Sequence, residues 1–129
     1  MEEKISPQQQ LYNAIYIACL DLGYDTFDYL PPSSQSLPFV HIGEQFSQDR
    51  FTKFTVFGDV QQTINIYHDK TKRAELVKMV LDLKKELRMI KKTNDFEWTL
   101  RELSDQIIDD TTDNIPLKRA IIEVNYTFN

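Results

Sequence analysis

Hydrophobic positions recur along this chain with two different periods, and the switches between them divide it into elements. Leu11, Ala14, Ile15, Ala18 and Leu22 fall at the spacing of one helical face, which predicts an amphipathic helix over 7–22. Its ends are written in the sequence. Ser6 is a capping residue, Pro7 takes the first helical position where a missing N–H costs nothing, and Gln9 completes a Ser-x-x-Gln capping box. Gly23 is the left-handed stop. Cys19 borders the stripe and reads as a packed thiol, since no cationic neighbour is evident to lower its pKa. Residues 24–36 then lose the periodicity. Asp25, Asp28, Pro31-Pro32 and Ser33-Ser34 make a turn-rich connection carrying Tyr24, Phe27 and Tyr29, and strand structure is expected to resume only after Pro38.

From there the period is two. In Leu37-Pro-Phe-Val-His-Ile-Gly43, Val40 and Ile42 share one face and Phe39 and His41 the other. His41 reads as a cross-strand side chain on the outer face, with no second ligand at metal spacing. Val60-Gln-Gln-Thr-Ile-Asn-Ile-Tyr67 alternates as a half-buried strand, Ile64 and Ile66 pointing one way, Thr63, Asn65 and Tyr67 the other. His68-Asp69-Lys70-Thr71 is the expected start of a second helix over 70–91, capped by Asp69 or Thr71. Leu76, Val80, Leu83, Leu87 and Ile90, flanked by Val77 and Leu81, give that helix a stripe wide enough to lie across a sheet.

The last third reads as a hairpin. Trp98, Leu100 and Ile107 or Ile108 stand in an otherwise polar run, and residues 109–114 have turn chemistry. Ala120, Ile122, Val124, Tyr126 and Phe128 then alternate with Ile121, Glu123, Asn125 and Thr127. The expected fold is α+β: a single antiparallel sheet packed by two helices, in the order α-β-β-α-β-β, within one domain over 1–129. Ile64, Ile66, Ile122 and Val124 belong on the covered face. A chain that closes on a strand leaves little room for an appended catalytic domain.

Composition narrows the function. A length of 129 residues is enough to bury a core without disulfides or metal. The chain has 41% hydrophobic and 27% charged residues, which fits a globular protein rather than a disordered one. No apolar run approaches the roughly 18 residues of a membrane span, and the acidic start Met1-Glu-Glu-Lys is unlike a secretory signal. One cysteine excludes an internal disulfide and fits a reducing cytoplasm. The net charge of -5 argues against a dedicated DNA-binding surface. Lys84, Lys85, Arg88, Lys91 and Lys92 form a basic cluster, but Asp82 and Glu86 interrupt it, and cations there complement the helix dipole.

Catalytic signatures are missing: there is no Gly-x-Ser-x-Gly elbow, Walker loop, His-Glu-x-x-His or Cys-x-x-Cys. Asp109, Asp110 and Asp113 lack the glycine and closing glutamate of a calcium loop and read as an acidic turn. No cofactor and no metal site is expected, and a non-enzymatic role is favoured. One segment calls for more than local structure. Between Glu44 and Asp59 stand Phe46, Phe51, Phe54 and Phe57, with Arg50 among them. Either part of this set enters the core from a further strand, or the segment is a protruding hairpin. Four phenylalanines are hard to bury in one peripheral segment, so Phe46, Arg50, Phe51, Phe54 and Phe57 are taken as a candidate protein interface.

The order of these patterns resembles the tail-completion, or tail-terminator, proteins of long-tailed phages and prophages of Gram-positive bacteria. The residues that carry it are Leu11-Tyr-Asn-Ala-Ile15, Pro31-Pro32 leading into Leu37–Gly43, Thr63-Ile-Asn-Ile-Tyr67 running into His68-Asp69, and Ala120-Ile-Ile-Glu-Val-Asn-Tyr-Thr-Phe128. The resemblance covers about the whole chain, through order and length rather than invariant chemistry, and the aromatic segment departs from it. It implies a structural virion protein assembled in the host bacterial cytoplasm as a ring, often hexameric, at the head-proximal end of the tail. Such a ring stops growth of the tail tube, touches the major tail tube protein and a head-connector protein, and lets DNA pass without specific binding. It implies no membrane association and offers no catalytic residues to transfer. Two readings of other classes stand beside it: a head-closure or connector component, and a small-molecule-binding or enzymatic α+β domain.

Overall fold

The computed structural model describes residues 5–111 and 115–129. Helix α1 spans Pro7–Asp21. Ser6 caps it as the sequence implies, its Oγ accepting from the Gln9 backbone N–H at 3.2 Å. The reciprocal half of the capping box does not form: the Gln9 side chain donates to Asn13 Oδ1 at 2.8 Å instead. Gly23 follows at φ 83, a conformation only glycine adopts without strain. Leu11, Ile15, Ala18 and Cys19 are buried.

The connection 24–36 is not free of strand structure, as the loss of periodicity suggested. Thr26–Phe27 is a short strand, β1, which pairs parallel to the next strand. Strand β2 runs Phe39–Phe51, resuming directly after Pro38. Strand β3 runs Val56–Asp69, α2 Arg73–Arg88, β4 Trp98–Asp110 and β5 Leu117–Phe128. The order is therefore α-β-β-β-α-β-β, and the strands form a five-stranded sheet in the spatial order β1-β2-β3-β5-β4. Every pairing except β1–β2 is antiparallel. The α+β class holds, with one parallel strand added at an edge.

Helix α2 starts later than 70 and ends earlier than 91. The expected cap is displaced. Asp69 Oδ1 accepts from the Thr71 backbone at 2.8 Å and its hydroxyl at 2.6 Å, closing a turn ahead of the helix, while Lys72 occupies the cap without a side-chain bond. Leu76, Met79, Val80, Leu83 and Leu87 form the buried stripe, and Val77 and Leu81 stay exposed. Met79, not the flanking positions, completes the face turned to the sheet.

Both helices cover one face of that sheet. Val60, Ile64 and Ile66 of β3 and Ile122, Val124 and Tyr126 of β5 are buried together against Leu11, Ile15, Leu83 and Leu87. The Tyr126 hydroxyl donates to the Leu87 carbonyl at 2.6 Å, a second partner for an acceptor in the last helical turn that also receives the Ile90 N–H at 3.3 Å. Between Ile42 and Gln45 the β2–β3 register shifts. Buried Gln62 holds this bulge: its Nε2 donates to the carbonyls of Gly43 at 3.0 Å and Glu44 at 3.1 Å, so the bulge leaves these acceptors partnered.

Candidate interaction surface

The β2–β3 ribbon outruns the rest of the sheet. Strand β5 ends its pairing at Gly58↔Phe128, so residues beyond Gly58 on β3 have β2 as their sheet neighbour and nothing else. The helical layer stops nearby: Gln8, in the first turn of α1, reaches Asp49 Oδ1 at 3.2 Å and accepts from Gln45 at 3.1 Å. Past these bonds the hairpin projects alone. Its root is tight, since a Cβ on Gly58 would lie 2.4 Å from the Gln48 carbonyl oxygen. Its turn is closed by Thr52, whose N–H donates to the Thr55 carbonyl at 2.9 Å and whose hydroxyl accepts from the Thr55 N–H at 3.1 Å.

The candidate interface residues are all on this ribbon, but not on one face of it. Directly paired residues share a face. Phe46↔Gln61 and Arg50↔Phe57 therefore lie on the face turned away from the helices, and Phe51↔Val56 on the helix side beyond the helix end. Phe54 stands in the turn. Phe54 is 90% exposed, Phe51 76% and Phe46 68%, whereas Phe57 is half-buried. The reading that puts part of the set in the core does not hold, since none of the four phenylalanines belongs to the buried cluster. Arg50 is committed within the ribbon, its Nε and terminal nitrogen donating to Asp59 Oδ2 at 3.2 and 3.1 Å. Lys53 Nζ lies 5.7 Å from the Phe54 ring centroid.

A second feature was not legible as a site. The open face of the sheet carries a groove of about 620 Å³, walled by residues 30–37 and floored by β2, β3 and β5. Tyr67 and Phe39 stack at 4.9 Å on its floor, with Phe27 set edge-on to Phe39 at 6.1 Å. Arg119 crosses the floor. It donates to Asn65 Oδ1 at 3.0 and 2.8 Å, lies 5.6 Å from the Tyr67 ring and approaches Asp110 at 3.7 Å. His41 lines the groove, its pKa lowered by burial and then by the Arg119 charge, against the opposing pull of Asp28. Alternation along the strands carries half of this signal, since it places Asn65, Tyr67 and His41 on the face away from Ile42, Ile64 and Ile66. What assembles them with Arg119 is the pairing of β3 with β5, between residues 54 positions apart.

Cys19 is fully buried and its thiol is pushed up to about 12 by desolvation, which removes it as a nucleophile. Among the described residues no three His, Cys, Asp or Glu side chains converge as a metal site would require. Asp113, one of the three acidic turn residues, lies outside the described residues. Among the described residues no helix is long and apolar enough to cross a membrane.

No protein-family model and no curated protein sequence matches the chain. Among solved structures it is similar to a chain from the virion of a native gene transfer agent (GTA) particle, with a TM-score of 0.64. The two share 12% identity, over 95% of this chain and 94% of that one. The likeness is one of fold. It extends across nearly all of both chains.

Proposed function

We propose that this chain is a structural protein of a phage-type virion, without enzymatic activity, that forms a ring at the head-proximal end of the tail. There it ends growth of the tail tube and joins tail to head. The observation that carries this is the near end-to-end fold likeness to a chain of a gene transfer agent virion. The finer role rests on the order of sequence elements that resembles tail-completion proteins. An exposed aromatic hairpin suits a protein whose work is to contact other proteins, here its own copies, the tube protein and a head connector. The net charge of -5 suits a lumen through which DNA passes without retention.

The test is electron microscopy of particles made with and without the chain, with the chain labelled. The expected picture is one cluster of label where tail meets head, and headless tails of irregular length when the chain is missing. Label along the tube, label within the head, or particles lacking the chain altogether would each overturn the proposal. Label at the portal with normal tails would favour the head-closure reading instead.

A further inference from the structure

Resting on the ring reading above, we propose that the open-face groove of one protomer receives the β2–β3 hairpin tip of the next copy of this chain. The two surfaces lie at opposite ends of the same ribbon. From Phe54 at the turn to Tyr67 on the groove floor the chain is extended almost throughout, a span of about 40 Å at roughly 3.3 Å per residue. A hairpin of this kind cannot fold back into its own groove, so only a second copy can bring the two together.

Their chemistry matches. The tip offers Phe51 and Phe54, both largely exposed, each able to bury roughly 150–250 Å². The groove offers the exposed Leu30 and Ile115 and the half-buried Leu37, Leu117 and Ile121, set over the buried Phe39–Tyr67 pair, an apolar lining against which an aromatic ring can pack. Its volume of about 620 Å³ is in the range that takes a few large side chains. The charges are complementary too. Residues 50–55 carry Arg50 and Lys53 and no acid. Arg50 is held by Asp59, which leaves Lys53 without an ion-pair partner among the described residues. In the groove the positive charge of Arg119 is already engaged by Asn65 and Asp110. Glu44 and Glu123 are exposed on its lining, with no ion pair among the described residues.

Two different patches on one chain make a head-to-tail contact, which propagates into a closed ring when the rotation between copies closes. That geometry has a signature no symmetric dimer shares. A chain with a dead tip still offers a groove, and a chain with a dead groove still offers a tip. Mixed together, they join once and stop.

Phe54→Asp and Leu30→Asp are the two variants, both at exposed positions, with thermal melts to verify that each remains folded. Mass measured by light scattering and sedimentation, up to the solubility limit, is the readout. Wild type is expected to form species of several subunits, and each variant alone to lose self-association at least tenfold. Their equimolar mixture is expected to give a two-subunit species and nothing larger. If Leu30→Asp assembles like wild type, or if the mixture gives no two-subunit species, the groove contact is overturned and the ring stands on another interface. If wild type does not self-associate at any concentration, the contact is overturned, and the place of the chain in the virion is decided separately by the microscopy.

Discussion

Between Val60 and Ile66, β3 lies under the helical layer and between two partner strands, and its inward side chains are fully buried. Between Val56 and Phe57 the same strand has one partner strand, with Val56 exposed and Phe57 half-buried. The two stretches are ten residues apart at most and share a backbone conformation, yet they use their apolar side chains oppositely. Fully burying a phenylalanine contributes roughly 1.5–3 kcal/mol, and Phe51 and Phe54 forgo most of that in the isolated chain. A two-stranded ribbon is marginal on its own. This one is held by its root at Gly58, the Gln8–Asp49 bond, the Arg50–Asp59 pair and the Thr52 turn. Stability resides at one end of the ribbon and unused binding surface at the other.

The sharpest way to break that contrast is to remove a side chain from the covered end. Ile64→Ala, in the centre of the buried cluster, is expected to cost about 2–5 kcal/mol in denaturant unfolding. A loss below 1 kcal/mol would mean the covered end is no better packed than the free one. Next in size is the junction. Gly58→Ala sets a methyl against the Gln48 carbonyl and near the Phe128 ring, and is expected to cost about 1–3 kcal/mol through forced backbone shifts. An unchanged midpoint would show that the root opens freely.

At the free end the expected effect on stability nearly vanishes. Phe54→Ala is expected to leave unfolding within about 0.5 kcal/mol of wild type. The same change is expected to weaken assembly or tail completion by about 2 kcal/mol or more, as for an interface anchor. Marked destabilisation with intact assembly would put Phe54 to structural use and dissolve the comparison.

The smallest effect concerns His41 in the groove. Burial and Arg119 lower its folded pKa below the ordinary value of about 6.5, so the unfolded chain binds the proton more readily. Its contribution to stability is present above pH 6.5 and is lost as pH falls through the depressed folded value. His41→Gln is expected to flatten this part of the stability–pH curve slightly, measured by thermal melts from pH 7.5 to 5. An identical slope in the variant would remove His41 as the cause.

Much of the fold was legible because burial writes itself as period. Ile64, Ile66, Ile122 and Val124 alternate in sequence and lie on one covered face, while Ser6 and Gly23 mark helix ends through local chemistry that needs no distant partner. The exposure of the aromatic segment was half legible: too many phenylalanines for a peripheral strand implied that some stay outside, and Phe57 is the one that is half-buried. Other features left no such trace. Thr26–Phe27 is too short to show alternation and becomes a strand only because residues 40–41 lie beside it. Val77 and Leu81 match the helical period as well as Met79 does, and only the position of the sheet selects Met79 for burial.

By itself the sequence determined the class of the molecule, the covered face of its sheet, the caps of α1 and the excess of aromatic side chains near residue 51. All of these follow from local spacing and from the cost of leaving apolar stripes in water. Tertiary structure alone decided that β2 and β3 outrun β5 at Gly58, that residues 30–37 wall a groove, and that Arg119 meets Asn65 across its floor. These depend on where strands of different length stop beside one another. That is a relation between distant segments, set by register, and no period within any one segment records it.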